Sequence, residues 1–208
     1  MKKILFPLVL FIVVYHCSFG QDLKFGIRGE VCFASQSIND PDILSTNSVT
    51  TLKVTGYFDK YLGDSFYLEP GISILGKGVK AYQNAQTDII TLTYLDVPVN
   101  FIYRFNVKRM GKISVGAGPY IGWGLSGNDQ NETTNVTSGQ AVTFGDTEDY
   151  KKVEYGATFM GGLELNNHLT FNVNYAFGLN NIAADQTLAS GTISVKNRVF
   201  SMGLGFDF

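Results

Sequence analysis

Hydrophobic and polar residues alternate along most of the chain, and the last residues show the pattern most clearly. Phe200, Met202, Leu204, Phe206 and Phe208 share one parity, and most of the residues between them are small or polar. A period of two is that of a β-strand with one apolar face. A terminal strand of this kind must pair with another strand and hide its apolar face. A membrane β-barrel meets both needs, because lipid covers the aromatic face and the first strand takes the hydrogen bonds.

The same alternation predicts eight strands. They cover 23–33, 52–59, 66–74, 88–103, 113–125, 153–165, 169–179 and 199–208. The polar connections are long at 35–48, 76–87, 126–149 and 180–191, and short at 60–64, 105–111 and 166–168. Long loops on one rim, tight turns on the other and an even strand number are typical of outer-membrane barrels. The pattern therefore predicts an all-β fold, an eight-stranded antiparallel up-and-down transmembrane β-barrel.

Two positions disturb the register of the predicted strands. Pro70 lacks the N–H group of a ladder donor, which predicts a bulge or a strand end there. Ile90 and Leu92 are out of phase with Leu95 and the apolar residues that follow it. A bulge near Thr93, or apolar residues that face inward near the top of the strand, would account for this change of phase.

Charged residues of the predicted strands lie on the parity opposite to the large apolar side chains. They are Arg28, Glu30, Lys53, Asp59, Glu69, Asp96, Glu154 and Glu164. A basic residue on the lipid face near mid-membrane costs about 2–4 kcal/mol, so we assign this parity to the interior. Side chains just fill the bore of an eight-stranded barrel. We therefore expect an interior ion-pair network without an open channel; the alternative is a path for protons or ions.

The first twenty residues have the pattern of an export signal. Two lysines precede an apolar run that ends at Val14, and a small-x-small cleavage site, Ser18-Phe19-Gly20, comes before Gln21. The apolar run has about half of the roughly twenty residues that a membrane-spanning helix requires. Lipoprotein processing at Cys17 is not expected, because His16 stands where such a site needs a small residue. The sequence thus predicts a cleaved signal peptide at 1–20 and one barrel domain at 21–208.

The composition of the mature chain argues against several classes of function. Without the first twenty residues it has 14 basic and 18 acidic residues, so it lacks the basic surface that nucleic acid requires. Cys32 is then the sole cysteine, which leaves no internal disulfide and no two-cysteine metal site. His168 is the sole mature histidine and lies in a predicted turn without a catalytic partner beside it. We expect neither an enzyme nor a cofactor.

Four segments carry a resemblance to a known family. They are 94–101 (YLDVPVNF), 116–122 (GAGPYIG), 155–165 (YGATFMGGLEL) and 197–205 (NRVFSMGLG). The sequence resembles the outer-membrane β-barrel domain family of Bacteroidetes, whose members are called porin-family or PorT-like proteins. The resemblance spans essentially the whole mature chain and implies an eight-stranded barrel without catalytic residues. The tail residues Ser201, Gly203, Phe206 and Phe208 look like the signal that the barrel assembly machinery reads.

Three functions follow from these patterns. The first is a structural or surface-interaction barrel that lies in outer membrane lipid and meets an extracellular partner through the loop 126–149. The second is an accessory of protein secretion or transport, as PorT-like kinship implies. The third is a soluble periplasmic barrel of the lipocalin type, which would place its apolar parity inward around a ligand. The alternation of long and short connections and the charged second parity favour the first function.

Overall fold

Eight strands make up the wall of the barrel. The computed structural model describes residues 23–39, 45–83, 86–109, 111–133, 136–145, 148–184, 187–188, 191–192 and 194–208, and the predicted signal peptide at 1–20 lies outside them. The strands are β1 (Leu23–Asn39), β2 (Val49–Gly63), β3 (Phe66–Gln83), β4 (Gln86–Val107), β5 (Gly111–Thr133), β6 (Val153–Leu165), β7 (Leu169–Gly178) and β8 (Ser194–Asp207). Short strands at Ser45–Asn47, Val136–Val142, Thr187–Leu188 and Gly191–Thr192 lie in the connections. In the described part of the chain, no helix is long and apolar enough to cross a bilayer.

Pairing of the first and last strands closes the sheet. β1 is antiparallel to β8, with a register that runs from Gly26 opposite Asp207 to Asn39 opposite Ser194. The Phe208 N–H then donates to the carbonyl oxygen of Phe25 at 2.7 Å. All other strand pairings in the wall join consecutive antiparallel strands, so the order around the ring follows the chain. The prediction of an all-β, up-and-down antiparallel barrel with eight strands in the ring is confirmed.

The two faces of the wall have opposite chemistry. Outward-facing Leu52 and Phe101 are 71% and 57% exposed, whereas inward-facing Glu69 is 2% exposed. Of the eight charged residues that we assigned to the interior, six are buried and the last two are partly buried: Arg28, Glu30, Asp59, Glu69, Asp96 and Glu154, then Lys53 and Glu164. A barrel of the lipocalin type has its apolar face inside, so this alternative is wrong.

The short turns lie together at one end of the barrel. Residues 64–65 join β2 to β3, and both have positive φ angles of 48° and 73°. Such pairs form the tight hairpin turns whose twist matches that of the strands. The turn residues 108–109 and 166–168 lie at the same end, as do the start of β1 and the end of β8.

At the opposite end the strands continue beyond their predicted limits. β3 and β4 stay paired as far as Gln83 opposite Gln86, so 76–83 and 86–87 are paired strand and not part of the long loop that we predicted at 76–87. β5 continues to Thr133, and Val136–Val142 pairs back onto it, so much of the predicted loop 126–149 is also strand. The outward positions of the β3 extension are Gly76, Gly78, Lys80 and Tyr82, so the apolar outward parity stops there although the backbone pairing goes on. Its inward positions Lys77, Val79 and Ala81 stay buried.

The two predicted irregularities have different outcomes. β3 passes Pro70 without a register shift, because Pro70 lies opposite Val99 and Ser73 lies opposite Asp96 in the same register. On the other side of β3, the pairing with β2 has a gap near the proline, but the register is the same before and after the gap. The predicted bulge or strand end is therefore wrong. Between Thr93 and Tyr94 the register to β5 does shift, with Leu125 as the extra residue. Leu92 is fully buried, so the second explanation, an apolar residue that faces inward near the top of the strand, also holds for Leu92.

Candidate functional site

Inward-facing side chains near the short turns form a charged layer across the bore. We call it the lower layer; it consists of Arg28, Tyr57, Asp59, Glu69, Arg104 and Asp207. Arg28 on β1 forms an ion pair with Glu69 on β3, and its guanidinium carbon lies 3.8 Å from the Tyr57 ring centroid. The Tyr57 hydroxyl donates a hydrogen bond to Asp207 on β8. Arg104 on β4 pairs with Asp59 on β2. Five strands are thus linked across the bore.

A second set of contacts surrounds Glu30 in the middle of the barrel. The Lys53 ammonium lies 2.8 Å from Glu30 Oε2. The Asn174 amide and the Ser201 hydroxyl both donate to Glu30 Oε1, the latter at 3.1 Å. Ser201, which belongs to the predicted assembly signal, therefore has a polar contact inside the barrel.

A third set, the upper layer, is centred on Lys77 and consists of Lys77, Asp96, Tyr120, Glu154 and Asn197. The Lys77 ammonium lies 2.9 Å from Asp96 Oδ2 and 3.0 Å from Glu154 Oε2. Tyr120 and Asn197 donate to Glu154 at 2.6 and 2.8 Å. Lys77 Nζ also lies within 4.7 Å of the ring centroids of Tyr94 and Tyr120. Buried charges persist only when they are paired and hydrogen-bonded, and this layer meets both conditions.

The space that remains between the layers is small. A cavity of about 30 Å³ lies between Arg28 and Lys53 below and Asp96 and Tyr120 above. Another, of about 10 Å³, lies beside Arg104 and the partly exposed ion pair of Lys112 and Glu164. One water needs about 10–15 Å³ of such volume. The described interior therefore has room for a few isolated waters and not for a hydrated ion path.

Aromatic residues from the β5–β6 connection pack onto the outer end of the bore. Phe144 lies edge-on to Tyr94, with ring centroids 5.6 Å apart, and Tyr150 packs in the same cluster as Leu75 and Leu92. The Gly145 N–H donates to the Tyr150 carbonyl oxygen at 2.8 Å, and the Tyr150 N–H donates to that of Thr143 at 3.2 Å. Residues 143–145 and 148–150 thus fold back over the bore and are hydrogen-bonded to each other.

The β7–β8 connection holds these residues in place. The Lys151 N–H donates to the Ile182 carbonyl oxygen at 2.8 Å, and the Ile182 N–H donates to that of Val195 at 2.9 Å. Ile182 is fully buried. Tyr150 and Ala183 form an antiparallel bridge. Residues 143–145, 148–150 and 180–184 therefore form one unit above the upper layer, which we call the cap.

A cavity of about 240 Å³ lies under the cap, between Ile90, Asp129, Gln140, Val142 and Tyr150 among other residues. Burial, with the nearby carboxylates of Asp88 and Asp149, raises the pKa of Asp129 above its ordinary value. Burial also raises the pKa of Tyr150. The Asp149 side chain is held by Thr143, whose N–H donates to Oδ2 at 2.8 Å. The cap thus borders a partly open pocket that contains acidic groups.

The four residues of the predicted assembly signal lie on both faces of β8. Ser201 faces the interior, and Gly203 lies so close to β1 that a Cβ atom would come within 2.0 Å of the Gly29 carbonyl oxygen. Phe206 and Phe208 face outward, with ring centroids 5.0 Å apart. Phe208 also stacks on Phe25 of β1 at 5.7 Å.

Sequence reasoning missed Lys77, Arg104 and the aromatic residues of the cap. Lys77 lay in a segment that we predicted as a loop, yet it continues the inward parity of Glu69, Ser73 and Leu75 without a break. That parity could have identified Lys77. No pattern of two or three residues indicates that Phe144 and Tyr150 fold back, because their contacts are long-range.

The described residues contain few arrangements that carry chemistry. His168 has a φ of 67° in the exposed turn before β7, and its ring lies 6.2 Å from that of Phe206. Among the described residues, no group of three histidine, cysteine, aspartate or glutamate side chains could hold a metal ion. The single described cysteine, Cys32, is a buried free thiol.

A closed eight-stranded barrel with an apolar outer wall and a charged, filled interior defines an integral outer membrane protein. The model of the family described as "Outer membrane protein beta-barrel domain" matches residues 19–184, so the chain belongs to this family. The protein is located in the outer membrane. The comparison with curated proteins finds no match.

Several solved structures are similar to the chain. Neisserial surface protein A is 12% identical, with a TM-score of 0.48, over 88% of this chain and 97% of that one. OprG from Pseudomonas aeruginosa is 15% identical, with a TM-score of 0.42, over 89% and 95%. Ail, the attachment invasion locus protein of Yersinia pestis, in complex with the heparin analogue sucrose octasulfate, is 10% identical, with a TM-score of 0.40, over 89% and 97%.

Proposed function

We propose that this protein is a non-conducting outer membrane barrel that acts at the cell surface through its outer part. The outer part consists of the extended strands at the long-loop end, the strand Val136–Val142 and the cap. The observation that carries the proposal is the cap itself, a folded unit whose contacts run between two different connections. A barrel wall needs only short turns to close its hairpins, so this additional ordered structure points to a function beyond closure.

The filled interior supports the same proposal. The upper and lower layers both link strands across the bore; the cavity between them is about 30 Å³, and another beside the lower layer is about 10 Å³. Transport through the bore would require both layers to open. A function at the surface requires no such movement.

The partner at this surface is a protein or glycan of the cell exterior in the simplest form of the proposal. In a second form, which the resemblance to PorT-like barrels of Bacteroidetes supports, the partner is a component of a protein-export machine. We propose further that 1–20 is removed as a signal peptide, that 21–208 is the barrel domain, and that the barrel assembly machinery reads Ser201, Gly203, Phe206 and Phe208.

Replacement of 143–149 by a short Gly-Ser turn tests the proposal, because it removes the β5–β6 part of the cap except Tyr150 and leaves the pairing of Val136–Val142 with β5 in place. Replacement of 187–192 by a turn of the same kind is the control, since it shortens another outer connection and leaves the cap residues in place. Both variants should assemble as heat-modifiable barrels. We expect the first variant to lose adhesion, secretion or whichever phenotype a strain without the protein shows, and the control to keep it. Full rescue by the first variant would refute the proposal.

A further inference from the structure

Four polar residues form a small patch on the outward face of the wall where β1 meets β8. Ser35 lies directly opposite Arg198, and Ser37 lies directly opposite Lys196. The residues that alternate with them on β8, Val195, Asn197 and Val199, are buried, so the side chains at 196 and 198 point away from the interior. We call Ser35, Ser37, Lys196 and Arg198 the rim patch.

The rim patch lies directly above the lipid-facing surface. Phe33 and Phe200 are the next outward residues below it on each strand, and their rings stack at 6.3 Å. From Phe208 to Arg198 is ten residues along β8, or about 34 Å of strand at roughly 3.4 Å per residue. A strand tilt of about 40° converts this to a height of about 26 Å, which matches the apolar band of about 25 Å in such barrels. Arg198 therefore lies at the level of the outer-leaflet headgroups.

The chemistry of the patch is that of an anion site. It has two cations and two hydroxyl groups, and directly opposed residues on paired strands hold their Cβ atoms about 5 Å apart. The Ser35 hydroxyl lies 3.5 Å from the Arg198 carbonyl oxygen, so it stands beside the arginine. Neither cation takes part in any ion pair found between described residues. Arginine in particular can bind phosphate through two parallel hydrogen bonds.

We propose that the rim patch binds the phosphate group of an outer-leaflet lipid, whose acyl chains lie on Phe33 and Phe200. The apolar surface below continues through Val31 and Met202, which are 40% and 45% exposed, so one molecule can contact both regions. This site is on the outer wall and is independent of the cap. It would fix the height of this side of the barrel in the membrane and order the lipid next to the seam where the barrel closes.

Native mass spectrometry of the purified full-length mature barrel in detergent tests the proposal, with lipid A as the probe, with and without its phosphate groups. The test variant is Lys196→Gln/Arg198→Gln. The matched control is Lys108→Gln/Arg109→Gln, which removes the same charge from the exposed turn at the opposite end. Each variant is first shown to be a folded, heat-modifiable barrel.

We expect the wild-type barrel to hold phosphorylated lipid A at least about tenfold more tightly than the dephosphorylated form. The test variant should lose this preference, and the control should keep it. If the double charge variant fails to fold, the milder variant Ser35→Ala/Ser37→Ala takes its place. We expect this variant to bind phosphorylated lipid A more weakly than the wild type does. Equal binding of the two lipids by the wild type would overturn the proposal, as would equal losses in the test variant and the control.

Discussion

The Lys77 ammonium lies 3.0 Å from Glu154 Oε2, although Lys77 is on β3 and Glu154 is on β6, three strands farther around the ring. This contact crosses the bore and joins opposite walls of the barrel. Lys77 is the single cation of the upper layer and faces two carboxylates there. It therefore controls the charge balance of a fully buried network.

We expect Lys77→Met to destabilise the barrel by about 3–5 kcal/mol, because it leaves Asp96 and Glu154 buried without a cation. Glu154→Gln should cost less, since Lys77 retains Asp96. Lys80→Met is the matched control, because Lys80 lies on the same strand but is partly exposed and faces outward. Urea unfolding in lipid vesicles measures the difference. Equal stability of the Lys77 and Lys80 variants would contradict the role of the upper layer.

Replacement of Phe206 and Phe208 by Ser, or deletion of Phe208, should block assembly into the outer membrane. Both changes remove aromatic contacts at the end of β8, including the stack of Phe208 on Phe25, and both alter the signal that we propose the assembly machinery reads. Phe200→Ser is the control, because Phe200 is an outward aromatic residue of the same strand outside that signal. The amount of heat-modifiable barrel in outer membrane fractions gives the answer. Wild-type amounts after either tail change would refute the assignment.

Gly203→Ala should destabilise the seam between β1 and β8 by about 1–3 kcal/mol, as overpacking does. The new Cβ atom would come within 2.0 Å of a backbone oxygen of Gly29, which cannot move without a change in the pairing of the two strands. Gly161→Ala serves as the control, because the nearest atom to its new Cβ would be the Ser114 carbonyl oxygen at 4.0 Å. Equilibrium unfolding of both variants compares them, and equal stabilities would show that the seam tolerates a side chain at 203.

The raised pKa of Asp129 makes the stability of the cap depend on pH. A carboxyl group whose pKa is higher in the folded state binds more protons in the folded state than in the unfolded state. The free energy of unfolding of the cap therefore falls as the pH rises from the ordinary pKa of aspartate to the raised pKa of Asp129. We expect the Tyr150 N–H to be better protected from hydrogen exchange at the acid end of this window, after correction for the intrinsic exchange rate. Asp129→Asn should abolish this part of the pH dependence. An unchanged pH profile in the variant would assign the effect to other groups.

The wall of the barrel could be predicted from the sequence because each wall residue has either lipid or the filled bore on its side of the strand. The alternation therefore predicted correctly that Phe101 faces outward and that Glu69 faces inward. The strand ends could not be predicted in this way. The outward positions of 76–83 are glycine, lysine and tyrosine, and 126–133 contains only polar residues and glycine. Both segments therefore have the composition of loops, although their backbones are paired and Lys77, Val79 and Ala81 are buried on the inward face.

The interior network was predicted in kind but not in its connections. The parity identified Glu154 and Asp96 as interior residues, and the bore of an eight-stranded barrel forces such residues together. Which cation they meet depends on the stagger between strands that are not neighbours, and this is not encoded in any local pattern. The effect of Pro70 was also predicted wrongly from local sequence. The pairing of β3 with its two neighbouring strands, β2 and β4, keeps the strand in register across the proline.

Single-channel recording in planar bilayers tests the central claim most directly. Pure wild-type protein and the variant in which a short Gly-Ser turn replaces 143–149 are reconstituted separately. The filled bore predicts no stable open channel in either, because the upper and lower layers remain when this part of the cap is removed. Sustained, reproducible conductance steps from the pure wild-type protein would contradict a sealed barrel that acts at its outer surface.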